Sequence, residues 1–191
     1  MKWDLPNAQL YYDQQFIDPV EANQLYHHFV VHTAWEHLPF RIFGKTVNTP
    51  RLEAYFATEG ERYSYSGKSL SIQPFDEVLL QLKQRIEQIA NAEFNAVLIN
   101  YYRDGNDSNG WHADDEKELG KNPIIASLSL GTTRRFDFKH NTLLEKHQLE
   151  LTSGSLLIMS GEMQHFWKHQ IAKTKRVQSG RINLTFRKIT H

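Results

Sequence analysis

The spacing of apolar side chains changes after residue 94. Before that point two stretches carry apolar residues at three- and four-residue intervals; beyond it the pattern alternates. A chain that moves from a period of 3.6 to a period of 2 must lay helices against a sheet built largely from its second half. The segments 95–102, 124–130, 134–138, 155–160 and 181–188 read as strands separated by polar loops. Ahead of them, a helix opens at about Asp18, a capping residue followed by Pro19 and Glu21, and Leu25, Tyr26, Phe29 and Val30 form its stripe. A second helix opens at Pro74, with Phe75, Val78, Leu79, Leu82, Ile86 and Ile89 on one face and Lys83, Arg85 and Glu87 on the other. Residues 38–73 mix aromatic and β-branched side chains with Gly44, Pro50, Gly60 and Gly67 and read as irregular and hairpin-like. The expectation is an α+β protein whose second half is a β-sandwich or jelly roll.

The 191 residues fit one domain, 1–191, with an N-terminal extension and helix over 1–35 that carries no further motif. The chain has no cysteine, which excludes disulfides, iron–sulfur clusters, thiolate zinc sites and cysteine nucleophiles. Lys+Arg and Asp+Glu both number 22, so the formal net charge is zero and any nucleic-acid-binding patch must be local. The opening MKWDLPNAQL lacks the basic-then-apolar pattern of a signal peptide, and no apolar run approaches the ~20 residues of a membrane span. A soluble cytoplasmic protein, a monomer without membrane contact, is the expectation.

Two constellations carry chemistry. Trp111-His112-Ala113-Asp114 holds a His-x-Asp pair, and in extended chain residues i and i+2 share a face, so one imidazole and one carboxylate can meet the same cation. His165 and His169, in Met163-Gln164-His165-Phe166-Trp167-Lys168-His169, both qualify as a third ligand. Two histidines and one carboxylate without thiolate form the facial set of non-haem Fe(II), which leaves positions open for O2 and a cosubstrate, although the same ligands also suit catalytic zinc. The second constellation is Gly180-Arg181-Ile182-Asn183-Leu184-Thr185-Phe186-Arg187-Lys188, which alternates strictly. Its polar side is either a solvated strand face or a pocket wall on which two guanidinium forks hold an anion. Arg181 and Arg187 are six residues apart, roughly 20 Å along a strand. They can share a small ligand only from its opposite ends, as a dicarboxylate would allow.

In order, Asn-x-Tyr in Leu98-Ile99-Asn100-Tyr101-Tyr102, Trp111-His112-Ala113-Asp114-Asp115-Glu116, Gly154-Ser155-Leu156-Leu157, His169 and Arg181-Ile182-Asn183-Leu184-Thr185-Phe186-Arg187 resemble the AlkB family of Fe(II)/2-oxoglutarate dioxygenases. The resemblance runs from about residue 40 to residue 188. Phe43-Gly44-Lys45 and Tyr63-Ser64-Tyr65-Ser66-Gly67 look like the nucleotide-recognition part of its DNA-repair branch, which acts on N-alkylated bases in DNA and in some members RNA. The resemblance implies a double-stranded β-helix, or jelly roll, over about 95–188, carrying helices on one side and a recognition lid over about 38–70. It implies iron on His112, Asp114 and His169, which favours His169 over His165. It also implies 2-oxoglutarate on Asn100, Tyr102, Arg181, Thr185 and Arg187. The substrate would be met by Phe43, Gly44, Lys45, Arg51, Tyr63, Tyr65, Asp115 and Glu116.

The implied reaction couples oxidative decarboxylation of 2-oxoglutarate to hydroxylation of an N-methyl group, as on 1-methyladenine or 3-methylcytosine, with release of formaldehyde and succinate. The target base must first leave the stack, and Tyr65 and the His112 ring are the candidates to hold it. Asp115 and Glu116 would favour a cationic methylated base. Lys168, Lys173, Lys175 and Arg176, with Arg41, Lys45 and Arg51, form a local basic stripe for phosphates, which at the nucleoid would hold the enzyme on DNA. Arg41-Ile42-Phe43-Gly44-Lys45 has the composition of a wedge at a hairpin tip. An oxygenase of the same fold acting on a protein or small molecule is the alternative. A nucleic-acid-binding module with a decayed site and a zinc hydrolase fit less well, because the ligand set is complete and the arginine strand would have no role.

Overall fold

The structure is a computed structural model describing residues 1–42, 45–58, 64–65, 68–69 and 71–190. In chain order the first half holds β1 (Lys2–Leu5), β2 (Ala8–Asp13), α1 (Pro19–His32), β3 (Pro39–Ile42), β4 (Lys45–Asn48), β5 (Leu52–Ala57), β6 (Ser64–Tyr65), β7 (Lys68–Ser69), β8 (Ile72–Gln73) and α2 (Glu77–Ala90). The second half holds β9 (Ala96–Tyr102), β10 (Asn109–His112), β11 (Ile125–Gly131), β12 (Arg134–His140), β13 (Lys146–Leu151), β14 (Leu156–Ser160), α3 (Met163–Phe166), β15 (Trp167–Ile171) and β16 (Arg181–Arg187). Among the described residues, eight strands form one sheet in the order β1-β2-β14-β11-β16-β9-β5-β8, and four form a second in the order β10-β15-β12-β13.

Alternation along the central strands assigns each face of the large sheet to a separate core. On β9, Val97 and Ile99 join Ile182, Leu184 and Phe186 of β16 under Leu25 and Phe29 of α1 and Leu79, Leu82 and Ile86 of α2. Each such large aliphatic side chain contributes about 1.5–3 kcal/mol by burial. The opposite face packs Leu98, Leu157 and Met159 against Phe136, Phe138 and Trp167 of the small sheet. The layers are therefore helices, large sheet and small sheet, the jelly-roll arrangement with helices on one side.

Local signals explain both long helices. Asp18 Oδ1 accepts from the backbone N–H of Val20 at 2.9 Å and of Glu21 at 3.1 Å, with Pro19 at the first position. The second helix begins at Glu77, three residues later than Pro74, because Asp76 caps it through Leu79 N–H at 2.7 Å. Two further stretches sit differently from the sequence reading. Residues 1–35 are no appendage, since β1 and β2 extend the large sheet, with β2 paired to β14 from Leu156↔Asp13 to Ser160↔Gln9. Nor is 38–70 one lid: β5 pairs with β9 inside the large sheet, while β3–β4 and β6–β7 form hairpins of their own.

One glycine is required by close backbone approach. A Cβ on Gly105 would lie 2.0 Å from Thr174 O and 2.8 Å from Val177 O. Gly105 N–H donates to Val177 O at 2.9 Å and its carbonyl accepts from Thr174 N–H at 2.8 Å. These bonds tie the loop after β15, which carries Lys173, Lys175 and Arg176, to the loop after β9. Gly105→Ala is expected to lower the unfolding free energy by about 2 kcal/mol in urea titration. An unchanged midpoint would contradict this tie.

Candidate active site

Strand register assembles the first part of the site. His112 of β10 stands opposite His169 of β15, and their ring centroids are 4.3 Å apart. Asp114 follows beyond the strand end, where its N–H donates to Gln164 Oε1 of α3 at 2.9 Å. One ligand atom from each of His112, Asp114 and His169 lies within 4.8 Å of the others. His165 stands exposed in the last turn of α3, outside this group. Phe136 closes one side, its ring centroid 5.2 Å from that of His169.

The arginine strand supplies the opposite wall. All seven residues of β16 are buried, so its polar face is no solvated surface: Arg181 is 1 % exposed and Arg187 3 %. Arg187 Nη2 meets Asp114 Oδ1 at 2.9 Å. Arg181 Nη2 donates to Ser129 Oγ at 2.9 Å and to Asn183 Oδ1 at 2.7 Å, and its guanidinium lies 5.3 Å from the Tyr102 ring centroid. Asn183 Nδ2 donates to Thr185 Oγ1 at 2.7 Å. Serines 127 and 129 of β11, opposite Thr185 and Asn183, leave room for these side chains. Asn100, Tyr102, Arg181, Thr185 and Arg187 line the same pocket as the His–Asp–His group.

The electrostatics suit a cation beside an anion. Burial lowers His169 to about 3, reinforced by His112 and Arg187 and opposed by Asp114. Burial also lowers His112. Burial alone would raise the Asp114 carboxyl, but Arg187 and the two histidines outweigh it and hold it at about 2. At neutral pH the group thus presents two neutral imidazoles and one carboxylate, the protonation states a metal requires. Nδ1–H of His112 donates to Gly110 O at 2.7 Å, which leaves the lone pair on Nε2. His169 Nδ1 is buried without a hydrogen-bond partner. Arg181, lowered by burial to about 10, stays a cation, with Nε and Nη1 buried without hydrogen-bond partners. Nitrogen and oxygen ligands without sulfur fit Fe(II), and the Arg181 donors fit a carboxylate.

The expected substrate contacts fare differently. Arg51, read as a phosphate contact, is buried: Nε donates to Asn100 Oδ1 at 2.7 Å, Nη1 to Ser108 O and Asn109 Oδ1 at 3.2 Å each, and Nη2 to Glu53 Oε1 at 2.7 Å. Its fork braces the pocket from behind. Asp115 is exposed and Glu116 half-buried, next to Asp114. Phe43, Gly44 and Tyr63 lie outside the described residues; Lys45 begins β4 and Tyr65 ends β6. The sequence reading missed Gln164, Asn109 and the serines of β11. Each acts through a partner remote in sequence, and no local pattern marks it.

The 2OG-Fe(II) oxygenase superfamily pattern matches residues 9–187. The chain is 40% identical over 157 residues to the bovine (Bos taurus) protein named DNA oxidative demethylase ALKBH2, covering 78% of this chain and 56% of that protein. It is 37% identical over 185 residues to the human (Homo sapiens) alpha-ketoglutarate-dependent dioxygenase alkB homolog 3, covering 91% of this chain and 64% of that protein. The chain thus spans about 56% to 64% of the length of these two relatives. A solved structure titled "The structure of OsALKBH1" superposes with a TM-score of 0.70 at 18% identity, over 97% of this chain and all of that one, a likeness of fold.

The buried histidines set a pH dependence. An unfolded histidine titrates near 6.5 and the folded His169 near 3, so the unfolded chain binds the extra proton on acidification. The stability held by neutral His169 is complete above pH 6.5 and is lost as pH falls toward 3. Metal-free protein should lose up to about 1.4 kcal/mol per pH unit from this group below pH 6. Thermal unfolding between pH 7 and 5 checks this: the slope should flatten in His169→Leu, and an equal slope in both proteins would contradict it.

Proposed function

We propose, because the chain belongs to the 2OG-Fe(II) oxygenase superfamily and within it to the AlkB family, that it is an Fe(II)/2-oxoglutarate-dependent dioxygenase removing N-alkyl groups from DNA bases. The observation that carries this reading is the buried strand β16, whose two arginines share one pocket with the His–Asp–His group. The names of the relatives, DNA oxidative demethylase among them, support alkylated nucleic acid as the substrate class, with RNA to be tested beside DNA. We place the enzyme in the cytoplasm at the nucleoid, acting as a monomer. The cysteine-free composition fits a reducing compartment, and no helix among the described residues is long and apolar enough to cross a membrane.

His112, Asp114 and His169 would hold the metal. Arg181, with Asn100 and Tyr102, would bind one carboxylate of 2-oxoglutarate, and Arg187, with Thr185, the end nearer the metal ligands. With O2 as oxidant, bound metal and 2-oxoglutarate would supply the oxidation: one oxygen atom would enter succinate as CO2 leaves, and the other would hydroxylate the N-methyl carbon, which would leave as formaldehyde. The chain's own part is to hold charge and exclude water. Arg187 keeps Asp114 ionised, and Phe136 shields His169. Asp115 and Glu116, beside Asp114, would attract the cationic methylated base, and Phe43, Gly44, Lys45, Tyr63 and Tyr65 would hold it out of the stack.

The direct test supplies Fe(II), ascorbate and 2-oxoglutarate and measures succinate with and without a methylated oligonucleotide. Stimulation by the methylated strand is expected; turnover indifferent to nucleic acid would sink the assignment to DNA. In the same assay His169→Ala should abolish metal binding and turnover, while His165→Ala should retain both, and the reverse would exchange the ligands. Phe43→Ala should depress repair of a methylated duplex and leave a single strand nearly unaffected, because only a duplex needs a side chain to fill the gap left by a flipped base. Equal loss on both substrates with a lowered melting temperature would make Phe43 a packing residue.

A further inference from the structure

Asn109 opens β10 beside the metal ligands and lines their pocket. Its Oδ1 accepts from Arg51 Nη1 at 3.2 Å and its Nδ2 donates to His112 Nε2 at 3.1 Å. The partners fix the sense of both bonds. A guanidinium only donates, so Oδ1 must face Arg51. A carbonyl only accepts, so the contact of His112 Nδ1 with Gly110 O at 2.7 Å puts the proton on Nδ1 and the lone pair on Nε2. Arg51 is held by its bonds to Asn100, Ser108 and Glu53 and is 5 % exposed, so it keeps the amide pointing N–H forward.

Imidazole Nε2 carries a single lone pair in the ring plane, and an N–H donor and a metal ion cannot both occupy it. We propose that Asn109, braced by Arg51, competes with the metal for the His112 lone pair and holds the metal affinity of the site below what the three ligands would give unopposed. The inference rests on reading His112, Asp114 and His169 as the metal ligands. Metal entry must break the Asn109–His112 hydrogen bond, which is worth about fivefold in a binding constant. Asn109 cannot turn its oxygen to the metal in compensation, because its N–H donors would then face the donors of Arg51.

Calorimetric titration of the metal-free chain with Mn(II) alone, without cosubstrate, tests this. The wild type should bind one Mn(II) per chain and His112→Ala none; failure of either overturns the triad reading and this inference with it. With that arm satisfied, Asn109→Leu, which keeps the branched heavy-atom skeleton without the amide, should bind Mn(II) about fivefold more tightly. Asn109→Ala, which removes the amide without adding bulk, should show the same gain and stands in if the leucine variant does not fold. Affinity equal to or weaker than wild type in the folded variants would overturn the competition and make Asn109 a supporting contact.

Discussion

Two buried guanidinium groups on one interior strand impose the constraint on which the rest of the structure depends. Burying an unpaired charge costs several kcal/mol, so the neighbours of β16 must compensate Arg181 and Arg187 or the strand cannot sit at the centre of the large sheet. Arg187 is answered by Asp114 at 2.9 Å, and this pairing draws the loop after β10 toward the sheet. Arg181 is answered in part, by Ser129, Asn183 and the face of Tyr102. Its remaining donors leave the protein a further anion to bind, and a ligand carboxylate would complete the solvation that folding left unfinished.

The same compensation links fold and site. Asp114 is both the counter-ion of Arg187 and a member of the His–Asp–His group that could hold a metal, so the charge that stabilises the strand would also face a bound cation. His112 and His169 arrive by the register of β10 and β15, and Gln164 fixes the Asp114 backbone from the helix before β15. Arg134 secures the far end: it donates to the carbonyls of Asp104, Asp107 and Ala172, and its guanidinium lies 5.6 Å from the centroid of the Tyr102 ring that also contacts Arg181. Arg134, like Arg51, acts as an interior brace.

Much of this is legible in the sequence where the determinant is local. Asp18 with Pro19 marks a helix start, strict alternation marks β16, and short apolar runs bounded by polar loops mark β9 and β11. The second helix was misplaced by three residues because Pro74 resembles a first helical residue while Asp76 does the capping. In the small sheet β12 is legible as 134–138, whereas β10, β13 and β15 are not. Lys146–Leu151 is mostly polar, and Trp167–Ile171 is short and interleaved with Lys168 and Gln170. The β1–β2 hairpin takes its place from β14, far along the chain, which no local pattern announces. The residues of the His-x-Asp and Arg-x-Asn-x-x-x-Arg motifs, which the structure brings to one pocket, could be picked out as candidates from spacing and resemblance. Arg51 could not be read correctly, because a lone arginine after Pro50 looks solvent-facing until Asn100 and Asn109 are brought to it from other strands.

The central claim is that Arg181 and Arg187 hold a dicarboxylate of fixed length beside the metal ligands. Ligand length tests it most directly, since both forks are immobilised by burial and cannot follow a longer chain. Calorimetry with Mn(II)-loaded protein should show one 2-oxoglutarate bound per chain, with 2-oxoadipate, longer by one methylene, binding far more weakly and Arg181→Met removing the preference. Equal affinity for the two diacids, or a preference that survives Arg181→Met, would contradict the claim.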